Sequence, residues 1–136
     1  MSTITKGSWA RGIPVKSRKY VYGRVLRNGA EPQICAPEST MTGIRLKVYD
    51  IKPETLKGQA PLQDNCRRDL YEDDPILYKT RTVKVKGNIR YGLYKDNAGH
   101  EYNGFYIEWQ DRSLSPRIRD WTSKRAQIFY DVSRGK

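Results

Sequence analysis

The sequence predicts a small all-β domain, barrel-like or sandwich-like, with a basic N-terminal arm and one or two short helices. From Tyr20 onward, short segments of alternating apolar and polar residues are separated by Gly, Pro, Asn and Asp, which is typical of strands joined by turns. Ten Tyr and three Trp compensate for a low aliphatic content, because large rings can build a thin core. A length of 136 residues favours one core.

Residues 1–19 are predicted to form a flexible basic arm, and residues 20–136 a single β domain. Gly7, Gly12 and Pro14 interrupt a polar stretch that has neither helical nor strand periodicity. All seven charged residues among the first thirty are basic. The arm therefore supplies candidate phosphate contacts, namely Arg11, Lys16, Arg18 and Lys19.

Three strands are predicted next. The segments "YVYGRVLR" and "PQICAP" flank "NGAE", in which Asn28-Gly29 is a strong hairpin signal. In "TGIRLKVYDI", Ile44, Leu46 and Val48 alternate with polar neighbours. This alternation predicts that the side of the strand bearing the three aliphatic residues is buried.

Residues 52–75 are predicted to be a long acidic connection. Pro53, Pro61 and Pro75 bracket a polar stretch, and a short helix is expected near residues 65–71. Five of the fifteen acidic residues gather between residues 64 and 74, at Asp64, Asp69, Glu72, Asp73 and Asp74. A solvated loop is favoured over a divalent-ion site or a contact with the arm of a neighbouring copy.

Strands are predicted to resume at about Ile76, and residues 82–109 are predicted to form a meander whose registers follow from the apolar pattern. A three-residue turn at 86–88 pairs Val85 with Ile89, whereas a two-residue turn would place apolar residues opposite glycine and arginine. A five-residue loop at 96–100 pairs Tyr91 with Phe105 and Ile89 with Ile107. Shorter loops would break this apolar face.

These registers predict one solvent-facing surface that combines cations, rings and glycines. Lys84 is expected beside Arg90 and Tyr106, with Gly92 opposite Gly104. The candidate binding residues of this sheet are Lys84, Lys86, Arg90, Tyr94, Tyr102 and Tyr106. Rings can stack on bases while cations neutralise phosphates, and glycines allow close approach. The alternatives are ordinary solvent-facing strands, or a second core beneath the arm or the last helix.

The remaining elements are a short helix and a final strand. Ser115 can cap a helix and Pro116 can occupy its first position, with Ile118 and Trp121 on the inner face. The closing segment "RAQIFYDVS" alternates Ala126, Ile128, Tyr130 and Val132 with mostly polar neighbours.

A formal net charge of +11 predicts attraction to a polyanion, and nucleic acid, single-stranded rather than duplex, is the favoured partner. No basic amphipathic helix or apolar span indicates a membrane partner. Two isolated cysteines and the lack of a secretory signal predict a cytoplasmic protein, or one within a virion or nucleoprotein particle.

No catalytic residue, metal ligand set or cofactor is predicted. His100 is the single histidine, on an expected surface loop, and no phosphate-binding loop or nucleophile elbow is present. The function expected is non-catalytic nucleic-acid binding. The alternative is a structural subunit that forms a homo-oligomer or a larger viral or phage particle through its arm and loops. A small ribonuclease-type toxin is the least favoured of the three.

Overall fold

The computed structural model describes residues 4–134, and most of them lie in β-strands. The ten strands are β1 (Trp9–Gly12), β2 (Val21–Arg27), β3 (Gln33–Thr40), β4 (Gly43–Asp50), β5 (Lys57–Gln63), β6 (Asp69–Tyr71), β7 (Pro75–Lys79), β8 (Lys84–Lys95), β9 (Glu101–Trp109) and β10 (Ile128–Tyr130). Short 3-10 helices cover Pro53–Thr55, Ile118–Asp120 and Thr122–Gln127. The all-β class is confirmed, and within residues 4–134 no sheet closes into a barrel. A sandwich-like arrangement stays a prediction.

The contacts fall into two compact units, residues 4–59 and residues 60–134, which are described separately. In the N-terminal unit the strands are antiparallel neighbours in the order β4-β3-β2-β1-β5. The predicted hairpin joins β2 to β3, and Gly29 at its tip has a φ of +95°. The prediction of a single domain is not tested by a division of contacts and stays a prediction.

The predicted arm contains a strand. Residues 9–12 form β1, which pairs with β2 and with β5. Its inner residues, Ala10 and Gly12, are small and buried, and a Cβ at Gly12 would lie 2.5 Å from Cγ2 of Ile51. Small residues give little hydrophobic signal, which is why the alternation was missed. Flexibility of residues 1–19 stays a prediction, and residues 1–3 lie outside the described part.

The predicted burial of one side of β4 is wrong. Ile44 and Leu46 are 76% and 73% exposed, and Val48 is 50% exposed. Ile34 and Ala36 of β3 are buried, and they face Tyr49 and Lys47 rather than the aliphatic residues of β4. The core of this unit therefore lies on the opposite side of the sheet from the aliphatic stripe.

The C-terminal unit contains the antiparallel sheet β10-β7-β8-β9, together with the last part of β5 and its neighbour β6, which belong to the other sheet. Its core consists of Ala60, Leu62, Leu70, Ile76, Ile89, Ile107, Trp109, Ile118, Trp121 and Ile128. The rings of Trp109 and Trp121 lie 5.0 Å apart, and both indole N–H groups donate to the carbonyl of Ser115. Two bulky rings are thus buried with their polar atoms satisfied.

Residues 52–75 are more ordered than the predicted connection, because β5 and β6 lie within them. Along β5 the alternate residues Gly58, Ala60 and Leu62 are buried. The short helix expected at 65–71 is replaced by a turn and by β6. Buried Asp64 organises the turn, since its Oδ1 accepts the backbone N–H groups of Cys66 and Arg68.

One of the two predicted meander registers is confirmed and the other is wrong. Strands β8 and β9 pair Ile89 with Ile107 and Tyr91 with Phe105, across the predicted five-residue loop. The predicted turn at 86–88 does not exist, because β8 continues through it and pairs with β7. Gly87 lies opposite Trp109, and a Cβ there would stand 2.5 Å from the indole ring. Gly87 therefore makes room for a ring and does not mark a turn.

The predicted helix before the last strand appears as two consecutive 3-10 helices that begin at Ile118. Ile118 and Trp121 are buried together, as predicted. The last strand is only three residues long, and Val132 is exposed. Behind it, Arg134 bonds to the carboxylate of buried Asp131 and donates to the carbonyls of Ile76 and Gly87, tying this segment to β7 and β8.

Candidate nucleic-acid interface

The face of β8 and β9 turned away from the core brings four of the predicted binding residues together. Arg90 lies opposite Tyr106, Gly92 opposite Gly104, and Tyr94 opposite Tyr102. These six residues are called the tyrosine face below. Alternation along each strand forces them to one side, because the residues between them, such as Ile89 and Ile107, are buried in the core.

The three rings of the tyrosine face form a stacked column. The Tyr94 ring centroid lies 5.5 Å from that of Tyr102 and 4.8 Å from that of Tyr106, with interplanar angles of 26° and 22°. The guanidinium of Arg117 lies 4.4 Å from the Tyr102 centroid, and the Tyr102 hydroxyl donates to Asp96 Oδ2 at 3.3 Å. Because Tyr94 has a ring on either side, a base would stack at an end of the column.

Gly92 and Gly104 face each other beside this column. Their φ angles are +148° and +155°, a conformation that residues with a side chain rarely adopt. A Cβ built at either position has no other heavy atom within 4 Å. The two glycines are therefore required by the backbone, and each leaves open space where a side chain would otherwise stand.

The positive charge of Arg90 is offset within the protein. Arg90 Nη1 lies 2.7 Å from Asp73 Oδ1, and Nε lies 3.3 Å from Glu108 Oε1. Partial burial opposes the charged form, but the bonds to the two carboxylates outweigh it and raise the pKa of Arg90 above its ordinary value. Partial burial and Glu108 also raise the pKa of the Tyr106 hydroxyl, while Arg90 acts the other way. Two carboxylates therefore compensate the single guanidinium at the centre of the tyrosine face.

The predicted contact between Lys84 and Arg90 is wrong. Both residues belong to β8, and six residues of a strand span about 20 Å. Lys84 lies opposite Lys79, and Lys86 lies opposite Leu77. The two lysines are exposed on the same side of β8 as Arg90, but toward the β7 end of the strand. Lys84 and Arg90 therefore do not face each other across neighbouring strands.

A shallow groove lies at that lysine end of β8. It is lined by Lys79, Thr80, Arg81, Thr82, Gln127 and Phe129. Lys79 and Arg81 were not predicted as binding residues, although both are cations that flank the turn between β7 and β8. Arg117 was also missed, and no local pattern links it to Tyr102.

The four arm residues lie in the N-terminal unit. Arg11 is on β1, with its guanidinium 4.6 Å from the centroid of the Tyr20 ring. Lys16, Arg18 and Lys19 are exposed in the segment between β1 and β2. The structure thus groups Arg90 with the three tyrosines and leaves the lysines of β8 outside that cluster, while the arm residues belong to the other unit.

The His100 side chain lies against Asp96 on the loop between β8 and β9. Nδ1 of His100 lies 3.5 Å from Asp96 Oδ2, and the histidine side chain is 73% exposed. Partial burial opposes ionisation of Asp96, but the backbone N–H groups of His100 and Ala98 outweigh it and lower the pKa of that carboxyl. Asp96 therefore organises the loop. Within residues 4–134, no cluster of three or more His, Cys, Asp or Glu side chains could hold a metal ion.

Comparison with protein-family models, with curated proteins and with solved structures finds no match to this chain. In the described part of the chain, every helix is too short or too polar to cross a membrane. The candidate interface is therefore inferred only from the geometry of its own residues.

Proposed function

We propose that this protein binds single-stranded nucleic acid without catalysis, and that the tyrosine face is its contact surface. The observation that supports this proposal is the column of Tyr102, Tyr94 and Tyr106 beside the open Gly92–Gly104 pair. Stacking of one base on an aromatic side chain contributes about 1 to 3 kcal/mol. Bases are accessible for stacking in single strands and not in a duplex, which favours single-stranded DNA or RNA.

Charge would act beside the rings and not among them. Lys84 and Lys86 extend along β8 from the tyrosine face, and Arg117 lies at the Tyr102 end of the ring column. These cations, with Arg11, Lys16, Arg18 and Lys19 of the N-terminal unit, are the proposed phosphate contacts. Their contribution should weaken as salt concentration rises, because each neutralised phosphate releases counterions.

The test is fluorescence anisotropy with labelled oligo-dT and oligo-U of about 20 nucleotides, measured over a series of salt concentrations. Loss of one stacking ring, in Tyr106→Leu, should weaken binding of both probes about tenfold or more. The matched control is Tyr91→Leu, which removes the same ring from the opposite side of β8, where it packs against Phe105. Thermal melts of both variants separate lost folding from lost binding.

Two outcomes would contradict the proposal. Wild-type protein that binds neither probe at about 50 mM salt, where phosphate contacts are strong, would exclude nucleic acid as the partner. Binding that Tyr106→Leu and Tyr91→Leu weaken equally, after correction for folded fraction, would exclude the tyrosine face as the contact surface.

The second candidate function is that of a structural subunit of a larger assembly, and the observation that favours it is the exposed stripe on β4. Ile44, Leu46 and Val48 are all at least half exposed, and Met41 in the preceding turn is fully exposed. Among the described residues β4 is also the last strand of its sheet. An exposed apolar edge strand is a template for pairing with another chain.

Size-exclusion chromatography with light scattering, with and without oligonucleotide, distinguishes the two functions. An assembly subunit should form defined oligomers without nucleic acid, and Leu46→Lys should return it to a monomer while leaving the melting temperature unchanged. A wild-type monomer at all accessible concentrations would contradict the assembly function and leave the binding function standing.

A further inference from the structure

Two lysines face each other on the outer side of the C-terminal sheet. Lys79 of β7 lies directly opposite Lys84 of β8, and both side chains are exposed. Lys86 follows on the same side of β8, two residues after Lys84. Like charges placed opposite each other on neighbouring strands destabilise a sheet, and such breaks in the rules of stability occur mainly at functional sites. The lysine pair is therefore a candidate contact for an anion.

No acidic residue compensates the cations at this end of β8. Residues 75–95 contain six Lys and Arg and no Asp or Glu, and residues 121–130, which include β10, also lack an acid. Within residues 4–134, no ion pair forms at any of four neighbouring cations, namely Lys79, Arg81, Lys84 and Lys86. Arg90, further along the same strand, has two carboxylate partners. The positive charge at the lysine end is thus left for a ligand to neutralise.

These cations border a groove between the turn that joins β7 to β8 and strand β10. The groove has a volume of about 940 Å³ and is lined by Lys79, Thr80, Arg81, Thr82, Gln127 and Phe129. It is called the β7–β8 groove below. Sites for small ligands commonly measure about 300 to 1,000 Å³. The groove is therefore large enough for a nucleotide.

The turn between β7 and β8 places a hydroxyl group beside the cations. The backbone N–H of Thr80 donates to the carbonyl of Val83 at 2.8 Å and so closes the turn. The Thr80 hydroxyl oxygen accepts the backbone N–H of Val83 at 3.1 Å, which leaves the hydroxyl proton to be donated elsewhere. Phosphate oxygens are strong acceptors for hydroxyl and guanidinium donors. Thr80 and Arg81 together therefore suit a phosphate group.

An aromatic ring lies on the same side of the sheet as the lysines. Ile128 is buried in the core, so Phe129, the next residue of β10, points to the outer side. Register places Phe129 beside Leu77, and Leu77 beside Lys86. Phe129 is half-buried and lines the β7–β8 groove. Because every nucleic-acid base can stack on an aromatic ring, the groove combines a base contact with phosphate contacts.

We infer that the β7–β8 groove binds a nucleotide phosphomonoester, with the phosphate at Lys79, Arg81 and Lys84 and the base on the ring of Phe129. A phosphomonoester carries a charge of about −1.5 to −2 at pH 7, more than an internal phosphate of a strand. A cluster of cations without carboxylates therefore favours a terminal phosphate. The inference rests on the proposed function for its class of ligand, but it uses residues outside the tyrosine face. The ligand has two possible sources, the phosphorylated end of a single strand and a free mononucleotide, which the test separates.

The first experiment compares single strands that differ only at their ends. The same oligo-dT, labelled on an internal base, carries a 5′-phosphate, a 3′-phosphate or hydroxyl groups at both ends. In anisotropy titrations one phosphorylated form should bind about tenfold more tightly than the hydroxyl form, as expected for added charge-assisted hydrogen bonds. Arg81→Gln should abolish this preference. The charge-matched control Arg112→Gln, at an exposed arginine of the same unit outside the groove and the tyrosine face, should keep it.

The second experiment uses ligand-observed NMR with dTMP and needs no oligonucleotide. dTMP should bind wild type and Tyr106→Leu alike, because Tyr106 lies outside the groove. Thymidine, which lacks the phosphate, and inorganic phosphate, which lacks the base, should each bind more weakly than dTMP. Phe129→Leu should weaken dTMP binding about tenfold, as for loss of one stacked base. Thermal melts check each variant, and Lys79→Gln replaces Arg81→Gln if the latter folds poorly.

Each outcome decides the matter. A preference for a phosphorylated end that Arg81→Gln removes supports the end of a strand as ligand, and dTMP binding without such a preference supports the free mononucleotide. Oligo-dT that binds equally whatever its ends, with no binding of dTMP, overturns the groove and leaves the tyrosine face in place. Inorganic phosphate that binds as tightly as dTMP overturns the nucleotide in favour of a general anion. Binding of dTMP without binding of any oligonucleotide overturns the proposed function alone, and no binding of any probe overturns both.

Discussion

Replacement of Gly92 by alanine should destabilise the protein through its backbone and not through packing. Gly92 has a φ of +148°, an extended conformation with positive φ that is nearly exclusive to glycine. An added methyl group would meet no heavy atom within 4 Å. The penalty is therefore conformational strain, with neither a clash nor a new contact to alter it.

Strain of this kind costs about 1 to 3 kcal/mol for one residue. For a chain of this length each kcal/mol corresponds to about 3 °C, so Gly92→Ala should lower the melting temperature by about 3 to 10 °C. Circular dichroism melts of wild type and variant at one protein concentration measure the shift. Gly104→Ala should behave similarly, because Gly104 lies opposite with a φ of +155°.

Gly87→Ala provides the contrasting case on the same strand. Its Cβ would stand 2.5 Å from the ring of Trp109, so its cost should shrink when Trp109→Leu removes that ring. The cost of Gly92→Ala should be the same in both backgrounds. A Gly92→Ala protein that melts within 1 °C of wild type would refute the argument from the backbone.

Two further predictions concern charge. Replacing Lys84 and Lys86 together by glutamine should lower the slope of log K against log salt by about 1.4. Arg90→Gln should change that slope much less, because two carboxylates already neutralise Arg90. Equal slopes for wild type and both variants would contradict this prediction. Burial disfavours ionised Asp131, but its bonds to Ser133 and Arg134 outweigh that and hold its pKa below the ordinary value of 3.8. Ionised Asp131 therefore stabilises the protein above pH 3.8, and this contribution is lost as pH falls through the lowered pKa. The melting temperatures of wild type and Asp131→Asn should differ most near pH 7 and converge in acid. A difference that does not change with pH would contradict this prediction.

The pairing of β8 with β9 could be predicted from the sequence because apolar residues alternate on both strands with a loop of fixed length between them. Ile89 and Ile107 can face each other in only one register that also joins Tyr91 to Phe105. The positions of the three tyrosines then follow without further information. The same logic failed at Gly87, since the reason for that glycine is the ring of Trp109, 22 residues later in the chain.

The charge balance of the site could not be predicted in the same way. Asp73, which neutralises Arg90, lies before β7 in a segment whose position depends on the tertiary structure. β1 and β5 were missed because their inner residues are largely glycine and alanine, which alternation of hydrophobicity does not detect. The aliphatic stripe of β4 followed the strand pattern, but the pattern alone cannot say which side of a sheet faces the core.

The cations and the aromatic ring of β8 lie toward opposite ends of the strand. Lys84 and Lys86 stand near one end, and the ring of Tyr94 stands about 26 Å from Lys86, near the other. If a nucleic-acid strand lies along β8, its phosphates should contact the lysine end and its bases should stack at the Tyr94 end. This arrangement should fix the polarity of a bound oligonucleotide relative to β8. Energy transfer to a dye placed at one end of β8 should therefore differ between 5′-labelled and 3′-labelled oligonucleotides.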